Sequence, residues 1–460
     1  MAMENEQELM TFDADELLEL LDSKRYSDFM HRVDELNPVD MAEFFNDLPE
    51  ERQPSVFRLL EKDLAAEIFA ELDGDVQETL IVAMSDREVR FMLDELFVDD
   101  AVDMLQEMPS NVVKRILKNA TPETREQINR LLAYPEDSAG SIMTTEFIEL
   151  RKSMTSAQAI DTIRRTGVDK ETVYVAYVTD VSRHLEGIIR LQDLLFAEVD
   201  EILADMMDTN IVCATTHDDR EAVAATISKY DLLVLPVVDK EQRLVGIVTV
   251  DDAIDVLQEE ATADIEMMAA ITPTDKPYLK TSVFETFKKR IPWLLLLMIS
   301  ATFTGAIISH YEAALGTWTI LTAFMPMLMG TGGNAGSQSS IAVIRSLSLG
   351  EIELSDIWRV LFKEIRVSVI CGVVMGVATF IKVLLIDLKL DLSQMLVALV
   401  VSISLVLTVI LAKIIGTVLP ILAKRIGLDP AVMASPFITT LVDALSLMLY
   451  FEVASAALGV

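Results

Sequence analysis

The spacing of apolar and polar positions changes twice along the chain. In the first part, segments such as VDMAEFFNDL (39–48), DLAAEIFAEL (63–72) and DDAVDMLQEM (99–108) set apolar residues at 3.6-residue intervals between acids. They predict amphipathic helices, separated by turn residues such as Pro49, Gly74 and Pro109 and stacked as a small helical superhelix. From residue 133 the pattern becomes short β-branched runs repeating at an offset of 59: VYVAYVTDVSRHLEGIIRLQDLL (173–195) against LLVLPVVDKEQRLVGIVTVDDAI (232–254). Each copy predicts a strand, a turn around Asp, a second strand ending in apolar-Gly-Ile, and a helix. An acidic helical stretch, DDAIDVLQEEATADIEMMAAI (251–271), leaves the second copy.

After Arg290 the period gives way to long uncharged runs. A spanning helix needs ~20 predominantly apolar residues. Five such runs are predicted, at 291–314, 318–344, 367–386, 395–423 and 431–457. The expected organisation is therefore an acidic helical domain (1–132), a repeated α/β pair (133–256), a connecting helix (257–284) and a five-helix membrane domain (285–460).

Charge fixes the expected orientation. Lys288, Lys289 and Arg290 precede the first span, Arg345, Arg359, Lys363 and Arg366 separate the second from the third, and Lys424 and Arg425 follow the fourth. The other side offers Lys389 among Glu312, Asp387 and Asp391. Basic loops stay inside, so the N-terminal domains are expected in the cytoplasm and Val460 outside. Lys382 and Lys413 are expected to snorkel from span ends.

The formal net charge is −35, nearly all of it before Ile291. Such a surface repels nucleic acid and attracts cations, although a polyanionic face is ordinarily just solvated. Two cysteines, Cys213 and Cys371, indicate neither a disulfide framework nor a thiolate metal site. The first residues lack the basic and apolar segments of a cleaved signal. Four histidines and no nucleophile–base pattern or phosphate loop speak against an enzyme.

Two features of the membrane region carry chemistry. Asp443 lies inside the fifth run, where a carboxylate costs at least ~2.5 kcal/mol. Ser435, Thr439 and Asp443 share one helical face, with Ser446 nearby. A buried Asp bonded to a neighbouring helix is the plain reading, and an ion pathway the sharper one. In the second run, PMLMGTGGNAGSQSS (326–340), Gly332 and Gly336 suit close helix packing. Asn334, Gln338 and the hydroxyls need partners at membrane depth, and Pro326 with the glycines suggests a bent or opened helix. Gly372 and Gly376 read as packing only.

The repeated α/β unit, with SIMTT (141–145) and ADMMD (204–208) before its copies, resembles a tandem pair of CBS domains. The whole chain, with YPEDSAGSIMT (134–144) opening the CBS pair, resembles the MgtE family of magnesium transporters or channels, most specifically in PMLMGTGGNAGSQ and GLDPAVMASPFITTLVDALSLMLYF. The resemblance implies a homodimer in the cell membrane with a pore on its two-fold axis, where Asp443 of each subunit selects the ion. Thr439, Asn334 and Ser435 are its implied pore-side companions; the family often has Ala at the Thr439 position and Asn at that of Ser435. It further implies gating by Mg²⁺ bound at Asp99 and Asp103 of the acidic domain, at Asp219, Glu221, Asp231, Asp252 and Asp255 of the CBS pair, and at Glu260 and Asp264 of the connecting helix. Ala263 stands where the family often has another acid. ATP is implied as a regulatory ligand, with Asp193 at its ribose. Rival readings are a broader Mn²⁺, Co²⁺ or Ni²⁺ carrier, a cation-coupled carrier, and a membrane CBS receptor that conducts nothing.

Overall fold

The computed structural model describes residues 14–274, 278–279, 281–311, 319–387, 395–433 and 435–458. It is mainly helical and separates into two compact units, divided between Val256 and Leu257.

The first unit begins with ten helices among the described residues, α1 (Ala14–Asp22) to α10 (Pro122–Leu131). Their boundaries follow from capping. Asn37 accepts the backbone N–H of Val39 ahead of Pro38, Ser85 and Glu88 form a reciprocal capping box, and Thr121 accepts the N–H of Thr124 ahead of Pro122. The helices pack in two rows. In one, α3 (Pro38–Asp47), α5 (Lys62–Ala70), α7 (Asp86–Glu95) and α9 (Ser110–Asn119) each contact the next; α4 (Gln53–Phe57), α6 (Gly74–Ala83), α8 (Val98–Glu107) and α10 make the other. Buried Phe45, Phe57 and Phe69 run between the rows with edge-to-face ring separations of 5.8 and 6.1 Å.

The repeat becomes two matching three-stranded sheets. In the first, β1 (Ile148–Leu150) pairs parallel with β2 (Val175–Thr179), which pairs antiparallel with β3 (Leu185–Arg190). In the second, β4 (Ala214–Thr215), β5 (Val234–Val238) and β6 (Leu244–Thr249) do the same. Helices α11 (Ser156–Thr166), α12 (Leu191–Phe196) and α13 (Leu203–Met206) belong to the first copy and its exit, α14 (Arg220–Tyr230) and α15 (Val250–Met268) to the second. The 59-residue offset survives in detail. Bulges fall at Val178/Thr179 and Val237/Val238, and Arg183 and Gln242 both take positive φ. Asp180 and Asp239 each accept two backbone N–H groups of their turn. The copies interlock, because a Cβ on Gly187 would meet Met207 Sδ at 2.5 Å and one on Gly246 would meet Met143 Sδ at 2.6 Å. Each methionine precedes one copy and packs on the other's glycine.

In the second unit, α16 (Val283–His310), α18 (Ile357–Lys382), α19 (Met395–Arg425) and α20 (Ser435–Leu458) lie within four stretches long and apolar enough to cross a membrane, among the described residues. The remaining expected span forms α17 (Met325–Ser348) behind a 3₁₀ turn at Thr319–Phe324, and it packs on α19 and α20. Its glycines and amides leave it less apolar than the other four. The suggested opening of this segment does not occur. Pro326 sits at the helix start, where no N–H is needed, Gly332, Gly333 and Gly336 are covered by neighbouring side chains, and the helix is continuous through the exposed Gly330.

Two charge assignments also change. The third helix begins at Ile357, ten residues before the expected span, and so draws Glu364 and Arg366 into it. Lys413 does not snorkel: it lies twelve residues from the end of α19, about 18 Å along the axis, beyond the reach of its stem. It is buried and paired with Glu364 at 3.5 Å. Lys382, at the end of α18, pairs with Asp387 at 2.9 Å. Glu312, Lys389 and Asp391 lie outside the described residues.

Candidate functional site

Two places concentrate negative charge. The first is a cavity of about 830 Å³ in the first unit, lined by twelve carboxylates and, among the described residues, no basic side chain. Glu71, Asp99, Asp100 and Asp103 come from the helical domain, Glu171 from the first CBS copy, and Asp251, Asp252 and Asp255 from the first turns of α15. The α8 sequence VDDAVDMLQE explains the helical share, since Asp99 and Asp103 stand one turn apart on the same face.

Burial and mutual repulsion disfavour charge here. Asp99 is buried, its Oδ1 has no hydrogen-bond partner among the described residues, and its carboxyl is pushed well up, first by desolvation and then by Asp100 and Asp252. Asp100 is raised to about 6 and Glu171 to about 7, desolvation again leading and Asp100 and Asp252 adding for Glu171. Asp252 and Asp255 are raised by the same causes, Asp252 in spite of the Thr249 hydroxyl it accepts. Such a cluster is stable only when protonated or supplied with cations. Among the described residues no group of three acids, His or Cys closes on a single metal position. The cavity is wide, and suits ions that keep their water.

Of the implied regulatory residues, Asp99, Asp103, Asp252 and Asp255 meet in this cavity. Asp219, Glu221 and Asp231 do not line it. Asp219 caps α14, accepting the N–H groups of Glu221 and Ala222, and Asp231 ends that helix with positive φ. Asp264 lies in the second unit, where its carboxyl accepts the Ser348 hydroxyl at 3.2 Å. It is raised by burial, then by Asp429 and, more weakly, Glu260. Asp193 is held by two hydrogen bonds from Arg190, at 2.9 and 3.2 Å. Asp100, Glu171 and Asp429 were missed by the sequence reading. Asp100 stood beside a chosen residue, but Glu171 sits in a loop whose position no periodicity reveals.

The second place is in the helical bundle. Asp443 is half-buried on α20, about 12 Å from the start of that helix. Its Oδ1 is sealed from solvent without a hydrogen-bond partner among the described residues. Thr439, one turn earlier, packs on α17: a Cβ on Gly333 would lie 2.8 Å from its methyl group. Ser446 is fully buried where a Cβ on Gly332 would lie 3.0 Å from its hydroxyl. The glycines thus let α17 reach the stripe that carries Asp443. Asn334 and Gln338 share the exposed edge of α17. The side chain of Ser435 lies outside the described ones.

Apolar helices long enough to cross a membrane, following in the chain two matched α/β units and an acidic helical domain, have the make-up of a multidomain membrane protein. Residues 325–453 match the family described as divalent cation transporter, 36–137 the MgtE intracellular N domain, and 139–200 and 203–259 the CBS domain. The chain belongs to the MgtE family, whose members are transporters and not enzymes. It is 34% identical to the magnesium transporter MgtE of Thermus thermophilus over 92% of this chain and 93% of that one, and 34% identical to that of Bacillus subtilis over 95% of each. Its first half is similar to a crystal structure of the cytosolic domain of the Mg²⁺ channel MgtE in complex with ATP. That likeness has 35% identity and a TM-score of 0.51, covering 53% of this chain and all of the other.

Proposed function

We propose that the chain is a Mg²⁺-selective channel or transporter for magnesium uptake, gated by Mg²⁺ on its cytosolic side. The observation that carries the reading is the half-buried Asp443, one carboxylate oxygen sealed without a donor among the described residues, on a helix packed against the one that carries an exposed amide edge. At membrane depth exposed amides belong against water or protein rather than lipid. Two copies arranged about an axis, with five spans each and Val460 outside, bring both features to a shared pathway. Mg²⁺ gives up water reluctantly, so paired carboxylates hold it through its hydration shell and release it again. Asn334, Thr439 and Ser435 complete that lining.

The acidic cavity supplies the sensor. With little Mg²⁺, Asp99, Asp103, Asp252 and Asp255 repel and the helical domain leaves the CBS pair. With Mg²⁺ bound, the packed form is favoured by its higher affinity for the ion. The segment 257–284, with Glu260 and Asp264, then passes the change to the membrane domain (285–460). Asp219, Glu221 and Asp231 serve a separate ion on the CBS pair. The ATP-bound relative supports nucleotide as a regulatory ligand here, with Asp193 at the ribose and Arg190 its competitor.

The test is Mg²⁺ uptake by cells lacking other magnesium systems. Wild-type protein should restore uptake and Asp443→Ala should not, at equal expression. Uptake undiminished by the substitution removes Asp443 from the pathway, and equal uptake of Mn²⁺, Co²⁺ or Ni²⁺ favours the broader carrier.

A further inference from the structure

Lys413 is the only buried lysine or arginine among the described residues. It stands on α19 within reach of two other helices. Its Nζ donates to Ser339 Oγ of α17 at 3.1 Å and lies 3.5 Å from Glu364 Oε2 of α18. The Ser339 hydroxyl donates to the same Glu364 oxygen at 2.7 Å. Lys413 and Glu364 side chains are 7% and 15% exposed, so the three groups pair with one another largely inside the bundle.

The network sits beside a tight approach of α17 to α19. A Cβ on Gly416 would overlap the Gly336 carbonyl oxygen, and one on Gly336 would lie 3.2 Å from that of Ala412. Small residues permit this approach, but they present few side chains to interlock and so define the rotation of a helix poorly. A charge-assisted pair is directional. Ser339 is one turn beyond Gly336, and a rotation of α17 by one residue would carry its hydroxyl away from both charges.

We propose that Lys413 is a positioning residue of the transport pathway: with Glu364 it clamps Ser339, fixing the rotation of α17 so that Gly332, Gly333 and Gly336 stay against α19 and α20 while the Asn334–Gln338 edge stays in the pathway. The proposal rests on the reading that this edge borders the pathway.

The test uses the full chain, purified and reconstituted, in a background where Cys213 and Cys371 are replaced by Ser. Cysteines are placed singly at Gln338, which is exposed, and Ser340, which is buried. Modification by a water-soluble thiol reagent is followed beside Mg²⁺ influx. Gln338→Cys should react and Ser340→Cys should not. Lys413→Met should reverse or level this contrast and lower influx by up to about a hundred-fold, the size of effect that a misplacement of about an ångström has where reacting groups must be held in register. Lys413→Arg should restore both. Glu364→Gln and the neutral pair Lys413→Met with Glu364→Gln are read alongside, so that a misfolded single variant leaves the question answerable. An unchanged labelling contrast in the folded neutral pair, or in Lys413→Met with influx retained, overturns the clamp. Asp443→Asn separates the two readings: normal influx in that variant defeats the pathway itself, whereas lost influx there with unchanged labelling in Lys413→Met defeats only the clamp.

Discussion

Asp99 of α8 and Asp252 at the start of α15 lie within electrostatic reach of each other across the acidic cavity, and Asp252 contributes to raising the Asp99 carboxyl. Asp99 carries the heavier burden because it is buried with one oxygen unpartnered. Asp99→Asn should therefore stabilise the Mg²⁺-free protein by about 1 kcal/mol or more, since an unpaired buried charge is costly. The same change should shrink the stabilisation that Mg²⁺ gives. Thermal unfolding of the full chain with and without Mg²⁺ checks both; an unaltered Mg²⁺ response would remove Asp99 from the sensor.

Protons and Mg²⁺ should compete in this cavity. Asp100 and Glu171 are raised to about 6 and about 7 in the folded state, so the packed form binds more protons than the unfolded chain. Their contribution to stability is fully present at acid pH, below the unfolded carboxylate range, and is lost as pH rises through about 6 to 7. Mg²⁺ binding should release protons, and its apparent affinity should fall as pH drops from 7.5 to 6. Calorimetry in buffers of different ionisation enthalpy measures the release directly.

The close pass of α17 and α19 gives a steric prediction. Gly416→Ala places a methyl group against the Gly336 backbone, which cannot swing aside, and should destabilise the bundle by about 1–3 kcal/mol. Gly305→Ala meets nothing within 4 Å and should be nearly neutral. Melting temperatures in detergent distinguish the two.

Gly140 offers the same test in the first unit. A Cβ there would lie 2.5 Å from the Tyr134 ring and 2.9 Å from the Thr216 carbonyl oxygen. Gly140→Ala should loosen the entry into the CBS pair, seen as earlier proteolysis near Tyr134.

Periodicity was enough for the amphipathic helices and for the repeat of the two α/β copies, because both rest on local spacing and turn chemistry; the pairing of the helices into two rows and the bulges 59 residues apart come only from the tertiary structure. Asp443 was visible for the same reason, a charge within an apolar run. Lys413 was misread because burial depends on which helix lies beside it, and Arg359, Lys363 and Arg366 were placed between spans because their charge masked the start of α18. Asp99, Asp103, Asp252 and Asp255 came through resemblance and meet in one cavity, whereas Glu171 joins them only through the tertiary fold. The Asp193–Arg190 pair is a further case: the charge was legible, its partner was not.

The central claim is that Asp443 selects Mg²⁺ in a pathway closed by Mg²⁺ at the acidic cavity. Current through the purified full chain in a planar bilayer, with Mg²⁺ varied separately on each face, tests it most directly. The account predicts a Mg²⁺ current that is abolished by Asp443→Asn and suppressed by Mg²⁺ only on the face bearing the acidic domain, less so in Asp99→Asn. A current indifferent to Asp443, or to Mg²⁺ on that face, would contradict it.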